Sequence, residues 1–128
     1  MKKLILSTAI FCLASSVCEL RAQSITNKSW TTFIGAPIND SAILHIYQDS
    51  SFITNTKGQV MVHFRTKITS DTITISDYGA EEQGCTDVVG NYKINLSADS
   101  FTLTMIKDEC DGRSEALTHK TWRQAKGK

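Results

Sequence analysis

The chain has 128 residues, 41% apolar and 21% charged, with a formal charge of +1. That length allows one domain, the composition is ordinary for a soluble globular protein, and one proline with seven glycines excludes a low-complexity chain. A near-zero charge with no basic cluster and no basic–aromatic stripe excludes the electrostatic footprint of a nucleic-acid binder.

The first 22 residues read as a leader rather than as part of the fold. Lys2-Lys3 is a short cationic start, Leu4 to Val17 is an apolar run broken only by small polar residues, and Leu20-Arg21-Ala22 ends on a small side chain. This is the layout of a secretory signal peptide, too short and wrongly flanked for a transmembrane span. Cleavage after Ala22 predicts an exported mature domain, 23–128, periplasmic or secreted. A lipoprotein anchored at Cys18 is the alternative, with Ser16-Val17 a poor match to the small residues favoured before a lipidated cysteine. The mature portion keeps 11 basic and 12 acidic residues and two of the four cysteines. In an oxidising compartment Cys85 and Cys110 read as one disulfide, with two buried free thiols as the alternative. Neither lies in a C-x-x-C pair and no histidine is near in sequence, so they do not read as metal ligands.

The elements follow in order as short strands. Trp30–Ile34 is the first, broken by Gly35-Ala36-Pro37; Ala42–Tyr47 is the second and Ser51–Thr54 the third. Asn55-Thr56-Lys57-Gly58 is a hairpin loop with a glycine available for positive φ. The fourth strand alternates most clearly: Val60, Val62, Phe64, Thr66 and Ile68 on one face, Met61, His63, Arg65 and Lys67 on the other. Thr72–Ser76 is the fifth, with Ile73 and Ile75 inward, and 77–87 is a long irregular stretch holding Cys85. Tyr92–Leu96 and Phe101–Ile106 are the sixth and seventh, with Tyr92, Ile94, Leu96, Phe101, Leu103 and Met105 inward. After Asp108-Glu109-Cys110-Asp111-Gly112-Arg113, Ser114–Leu117 allows one helical turn, and His119–Arg123 is the eighth strand.

Eight short strands joined by tight turns predict an all-β fold, most simply an antiparallel up-and-down barrel that leaves no exposed edge. A two-sheet sandwich is the alternative. Cys85 precedes the sixth strand and Cys110 follows the seventh, which puts both at the same end of one hairpin.

Few residues offer chemistry. His45, His63 and His119 are scattered, so no histidine metal or haem site is predicted. The acidic knot of Asp108, Glu109 and Asp111 could be a weak calcium site, but it lacks the EF-hand spacing. It reads better as a turn in which Asp108 caps backbone amides, Gly112 takes an unusual φ and Arg113 pairs with a carboxylate. No nucleophile–base–orienter set can be assembled, and both mature cysteines are committed to the disulfide, so no enzyme and no cofactor is predicted.

Trp30 in the first strand, a single run of short strands and Arg123 in the last resemble the lipocalin or calycin superfamily. The ending Asp108–Arg113, then Ala116-Leu117, then Thr121-Trp122-Arg123, resembles small exported bacterial lipocalin-like proteins more closely. The resemblance spans most of residues 28–123. It implies that Trp30 packs under Arg123 to close one barrel end, and that the barrel interior holds a small apolar ligand. The wall would comprise Trp30, Leu44, Ile46, Phe52, Val62, Phe64, Ile73, Tyr92, Ile94, Phe101 and Leu103. The Gly-x-Trp pattern of lipocalins is replaced by Lys28-Ser29-Trp30, and the domain is short, which implies a small cavity or a filled barrel. A filled barrel would point instead to a protein–protein module, an inhibitor or accessory subunit, contacting its partner through 77–90 and Gln23–Ser29.

Overall fold

The computed structural model describes residues 25–78 and 85–126. The leader, its cleavage site and Cys18 lie outside the described residues. Eight antiparallel strands follow one another around a closed barrel: β1 (Lys28–Ile34), β2 (Asp40–Ile46), β3 (Ser50–Thr54), β4 (Val60–Thr69), β5 (Thr72–Tyr78), β6 (Val89–Leu96), β7 (Ser100–Lys107) and β8 (Trp122–Gln124). One helix, α1 (Asp111–Leu117), links β7 to β8. The seam closes where Trp30 and Thr31 of β1 face Gln124 and Arg123 of β8. Among the described residues no helix is long and apolar enough to cross a membrane.

Period-two burial drives this architecture, because successive strand side chains point to opposite faces. Ala42, Leu44 and Ile46 of β2 are buried, as are Ile73 and Ile75 of β5 and Tyr92 and Ile94 of β6. The β3–β4 turn is set by side-chain chemistry. Asn55 Oδ1 accepts the amides of Lys57 and Gln59, both at 3.0 Å, while Gly58 takes φ +81°. An Asx turn of this kind mimics backbone turn geometry and leaves the left-handed position to a residue without Cβ.

The two barrel ends differ. At one end Trp30, Phe101 and Trp122 form an aromatic plug: Trp30 meets Phe101 edge-on at 4.9 Å, and Phe101 stacks with Trp122 at 6.4 Å. Both indoles are satisfied, Trp30 Nε1 donating to Ile25 O and Trp122 Nε1 to Leu117 O. The expected Trp30–Arg123 closure is corrected here. Arg123 is exposed, because β8 turns Trp122 inward, and the ring packed against Trp30 is that of Phe101. The other end gathers the β1–β2, β3–β4 and β5–β6 connections and the start of α1.

Two placements of inward residues are also corrected. Phe52 faces outward, since β3 turns Ser51 and Ile53 inward; its ring stacks on His45 at 4.6 Å and lies 6.0 Å from Tyr47. Met105 pairs opposite the buried Tyr92 yet is 48% exposed. The β7–β8 ladder covers only Ser100 and Phe101, so the upper half of β7 lacks a strand neighbour on that side to shield it.

Candidate functional site

The site lies at the end opposite the aromatic plug, where the Cys85–Cys110 disulfide joins the β5–β6 connection to the start of α1, with a Cα–Cα distance of 6.0 Å. The expected pairing at one end of the β6–β7 hairpin is what the structure shows. Beneath it is a buried ionic lock. Asp77 extends the inward parity of β5 past Ile75, Tyr92 points inward from β6, Asp108 follows β7, and Arg113 sits in the first turn of α1. Arg113 is 5% exposed and Asp77 and Asp108 are each 8% exposed, so these charges are held away from water.

Four of the five guanidinium N–H groups are used. Nε and Nη2 of Arg113 donate to the two oxygens of Asp108, each at 2.7 Å, in a bidentate fork. Nη1 donates to Asp77 Oδ1 at 3.0 Å, and Nη2 donates also to Val88 O at 2.9 Å. Asp108 accepts two further bonds, from the Cys110 amide and the Tyr92 hydroxyl. Asp77 Oδ2 accepts the Cys85 amide at 2.8 Å. The sequence expectation for the 108–113 segment is therefore met in kind, with Asp108 capping a backbone amide and Arg113 paired. It is corrected at Gly112, which lies in α1 with no positive φ, and extended by Asp77, a second carboxylate on the same arginine.

Electrostatics fix the protonation of the lock. Burial pushes the Asp108 carboxyl up, but hydrogen bonds from Arg113, Tyr92 and the Cys110 amide outweigh it and hold it below the usual carboxylate range. Burial, then the bond to ionised Asp108, raises the Tyr92 hydroxyl above its ordinary value. Burial works against the Arg113 charge, yet the two carboxylates more than restore it. Asp108, Tyr92 and Arg113 thus each keep one protonation state near neutrality.

Gly90 on β6 makes room for this arrangement. A Cβ there would collide with the Asp108 carboxylate, 2.7 Å from Cγ, and would sit 2.9 Å from Tyr92 Cε2. Gly90→Ala is expected to lower stability by about 1–3 kcal/mol, the usual range for overpacking. Urea unfolding checks this, and an unchanged midpoint would show that the carboxylate can move aside freely.

An apolar cavity of about 340 Å³ opens beside the lock. Ile34 and Ile38 border it from β1 and the following loop, Ile53 from β3, and Met61, Val62 and Phe64 from β4. Ala116 and Leu117 close it from α1, and the two half-cystines with Gly112 form its edge. Among the described residues, Asp77 and Arg113 are the charged ones on its wall. The middle of the barrel, by contrast, leaves only about 10 Å³ between side chains that include Leu44, Ile46, Ile73, Phe101 and Leu103. The expected ligand wall is thereby corrected. Trp30, Leu44, Ile46, Ile73, Tyr92, Ile94, Phe101 and Leu103 belong to the packed core, Phe52 lies outside, and only Val62 and Phe64 border the cavity. No family model, curated protein or solved structure matches this chain.

Other candidate groups lie elsewhere. His45, on the outer face of β2, bonds Ser29 Oγ at 2.9 Å and Thr54 Oγ1 at 3.1 Å, and burial lowers its pKa. His63 lies between the rings of Phe52 and Tyr78, and His119 is exposed after α1. Among the described residues, Asp77, Cys85 and Cys110 are the one grouping with metal-ligand spacing. Their sulfurs are bonded to each other and offer no thiolate, the form that ligates metal. The sequence pattern did not point to Ile34, Ile38, Ala116 or Leu117. The available signals were Ile38 isolated in a polar turn and the Ala116-Leu117 pair closing a short helical segment.

Proposed function

We propose that the protein is an exported, lipocalin-like, non-catalytic binding module that holds a small apolar ligand at the open barrel end. The observation that carries this reading is the apolar cavity of about 340 Å³ beside a buried ionic wall. Ligand sites are typically concave, mostly apolar and about 300–1,000 Å³, with a few fixed polar groups for orientation. Export is supported by the disulfide, since such bonds persist in oxidising compartments. A non-catalytic role is supported by the settled protonation of Asp108, Tyr92 and Arg113, because acid–base catalysis uses groups poised near the working pH.

The test is native mass spectrometry of protein purified from the periplasm or medium. The expected result is an added small-molecule mass that disappears in Ala116→Phe, whose ring fills the cavity from α1. The variant should keep the wild-type circular dichroism. A wild-type protein with no added mass, and no thermal shift with a panel of apolar compounds, would overturn the reading.

The second reading, a protein–protein module, is favoured by the filled barrel middle and by the exposed Met105 and Ile106 on the unpaired half of β7. Part of its expected contact surface, 79–84 and Gln23-Ser24, lies outside the described residues. A stable complex that survives Ala116→Phe would favour this second reading.

A further inference from the structure

We infer that the cavity at the open barrel end takes a compact apolar molecule bearing an amine, received by Asp77, and rejects the matching carboxylate. This rests on the ligand-binding reading above and adds the chemical class.

Asp77 is the carboxylate at the cavity wall with acceptor positions to spare. Asp108 is saturated: Oδ1 accepts the Cys110 amide and Arg113 Nη2, and Oδ2 accepts Tyr92 Oη and Arg113 Nε. It also stands off the cavity wall, which Asp77 and Arg113 reach. Among the described residues Asp77 accepts one bond at each oxygen, from Arg113 Nη1 and from the Cys85 amide. A carboxylate offers about four acceptor positions, so Asp77 keeps spare capacity. Among the described residues Arg113 keeps a single N–H, on Nη1, next to Asp77.

Charge points the same way. Two carboxylates face one guanidinium, so the buried cluster carries a formal charge of −1. Among the described residues the rest of the cavity wall is uncharged, made of aliphatic, aromatic and thioether side chains with the disulfide and Gly112. Glu109 and Asp111 flank Cys110 in sequence, while Lys57 in the β3–β4 turn, Lys107 at the end of β7 and Arg65, whose guanidinium lies over the Tyr78 ring, are exposed cations at this end rather than members of the buried cluster. A buried cluster with an excess negative charge attracts a cation and disfavours an anion, because charge is poorly screened away from water. A ligand carboxylate would find one Arg113 N–H already beside a carboxylate. A ligand ammonium would find free carboxylate lone pairs, and a charge-assisted bond to them is stronger than a neutral one.

The experiment uses three probes of one shape: phenethylamine, 2-phenylethanol and phenylacetate. Binding to the disulfide-intact mature protein is measured by calorimetry and by chemical-shift changes at Ile38, Val62 and Ala116. The amine should bind at least tenfold more tightly than the carboxylate, with the alcohol between them. Asp77→Asn should narrow that gap, and Ala116→Phe should abolish all three. A carboxylate that binds as well as the amine would overturn the class assignment and leave the cavity reading standing. Failure of all three would overturn both. The wild-type series decides the question even where Asp77→Asn does not fold.

Discussion

Replacing Arg113 by Met is expected to destabilise the protein by about 3–5 kcal/mol, a large share of a typical total of about 5–15 kcal/mol. Met keeps much of the packing volume, so the loss is electrostatic. Arg113, 5% exposed, pairs with both Asp77 and Asp108, and removing its charge strands two carboxylates in the interior. The pH dependence gives the effect a signature. In the native protein the Asp108 carboxyl is held below its ordinary value, so its stabilising contribution is fully present above about pH 3.9, the usual unfolded value. It is lost as pH falls through the lower native value. In Arg113→Met the largest remaining influence is burial, which raises the carboxyl pKa. The variant then regains stability on acidification, as the stranded carboxyl takes a proton. Urea unfolding at pH 7 and pH 4 should show a gap between the two proteins that narrows at the lower pH. A gap of equal size at both values would show that lost packing, rather than stranded charge, is the cost.

Local periodicity made the barrel legible, and long-range contacts hid the site. β4 could be read directly because it is half-buried, so its sequence carries the alternation of inside and outside. β3 misled because two large apolar residues, Phe52 and Ile53, are adjacent and only one can face inward. Ile53 pairs with Val62 and faces the core, while Phe52 covers part of its ring on the outer face against His45. Trp122 and Arg123 posed the same choice, and the family resemblance favoured the arginine where the aromatic plug uses the indole. The 108–113 segment gave away its local pairing because Asp108 and Arg113 are five residues apart. Asp77 lies 36 residues from Arg113, and the one mark of its inward placement is its parity with Ile73 and Ile75, at the head of a polar stretch. The cavity was hidden for a similar reason. Its walls come from β1 and the loop after it, β3, β4, β5 and α1, and whether their side chains touch or leave a gap is decided by three-dimensional packing, which periodicity does not report.

Removing the disulfide, as Cys85→Ser with Cys110→Ser, is expected to cost about 3.5 kcal/mol on the chain-entropy estimate for a separation of 25 residues. That figure treats the crosslink as a tether on the unfolded chain. The structure gives it a second role in the folded one. The amide of Cys85 donates to Asp77 and the amide of Cys110 donates to Asp108, so the bond fixes two donors that help hold the carboxylates around Arg113. Reduction frees the backbone on both sides of the lock at once. Residues that share one hydrogen-bond network couple by about 0.5–3 kcal/mol, whereas distant independent sites add within a few tenths. Combining the serine pair with Arg113→Met should therefore cost less than the two losses together, because each change already loosens what the other holds. A double-mutant cycle by urea unfolding measures the difference. Simple additivity would mean that the disulfide acts on the unfolded chain alone and that the ionic lock stands without it. A coupling above about 0.5 kcal/mol would mean that the crosslink and the lock form one unit, with the cavity wall at Asp77 depending on both.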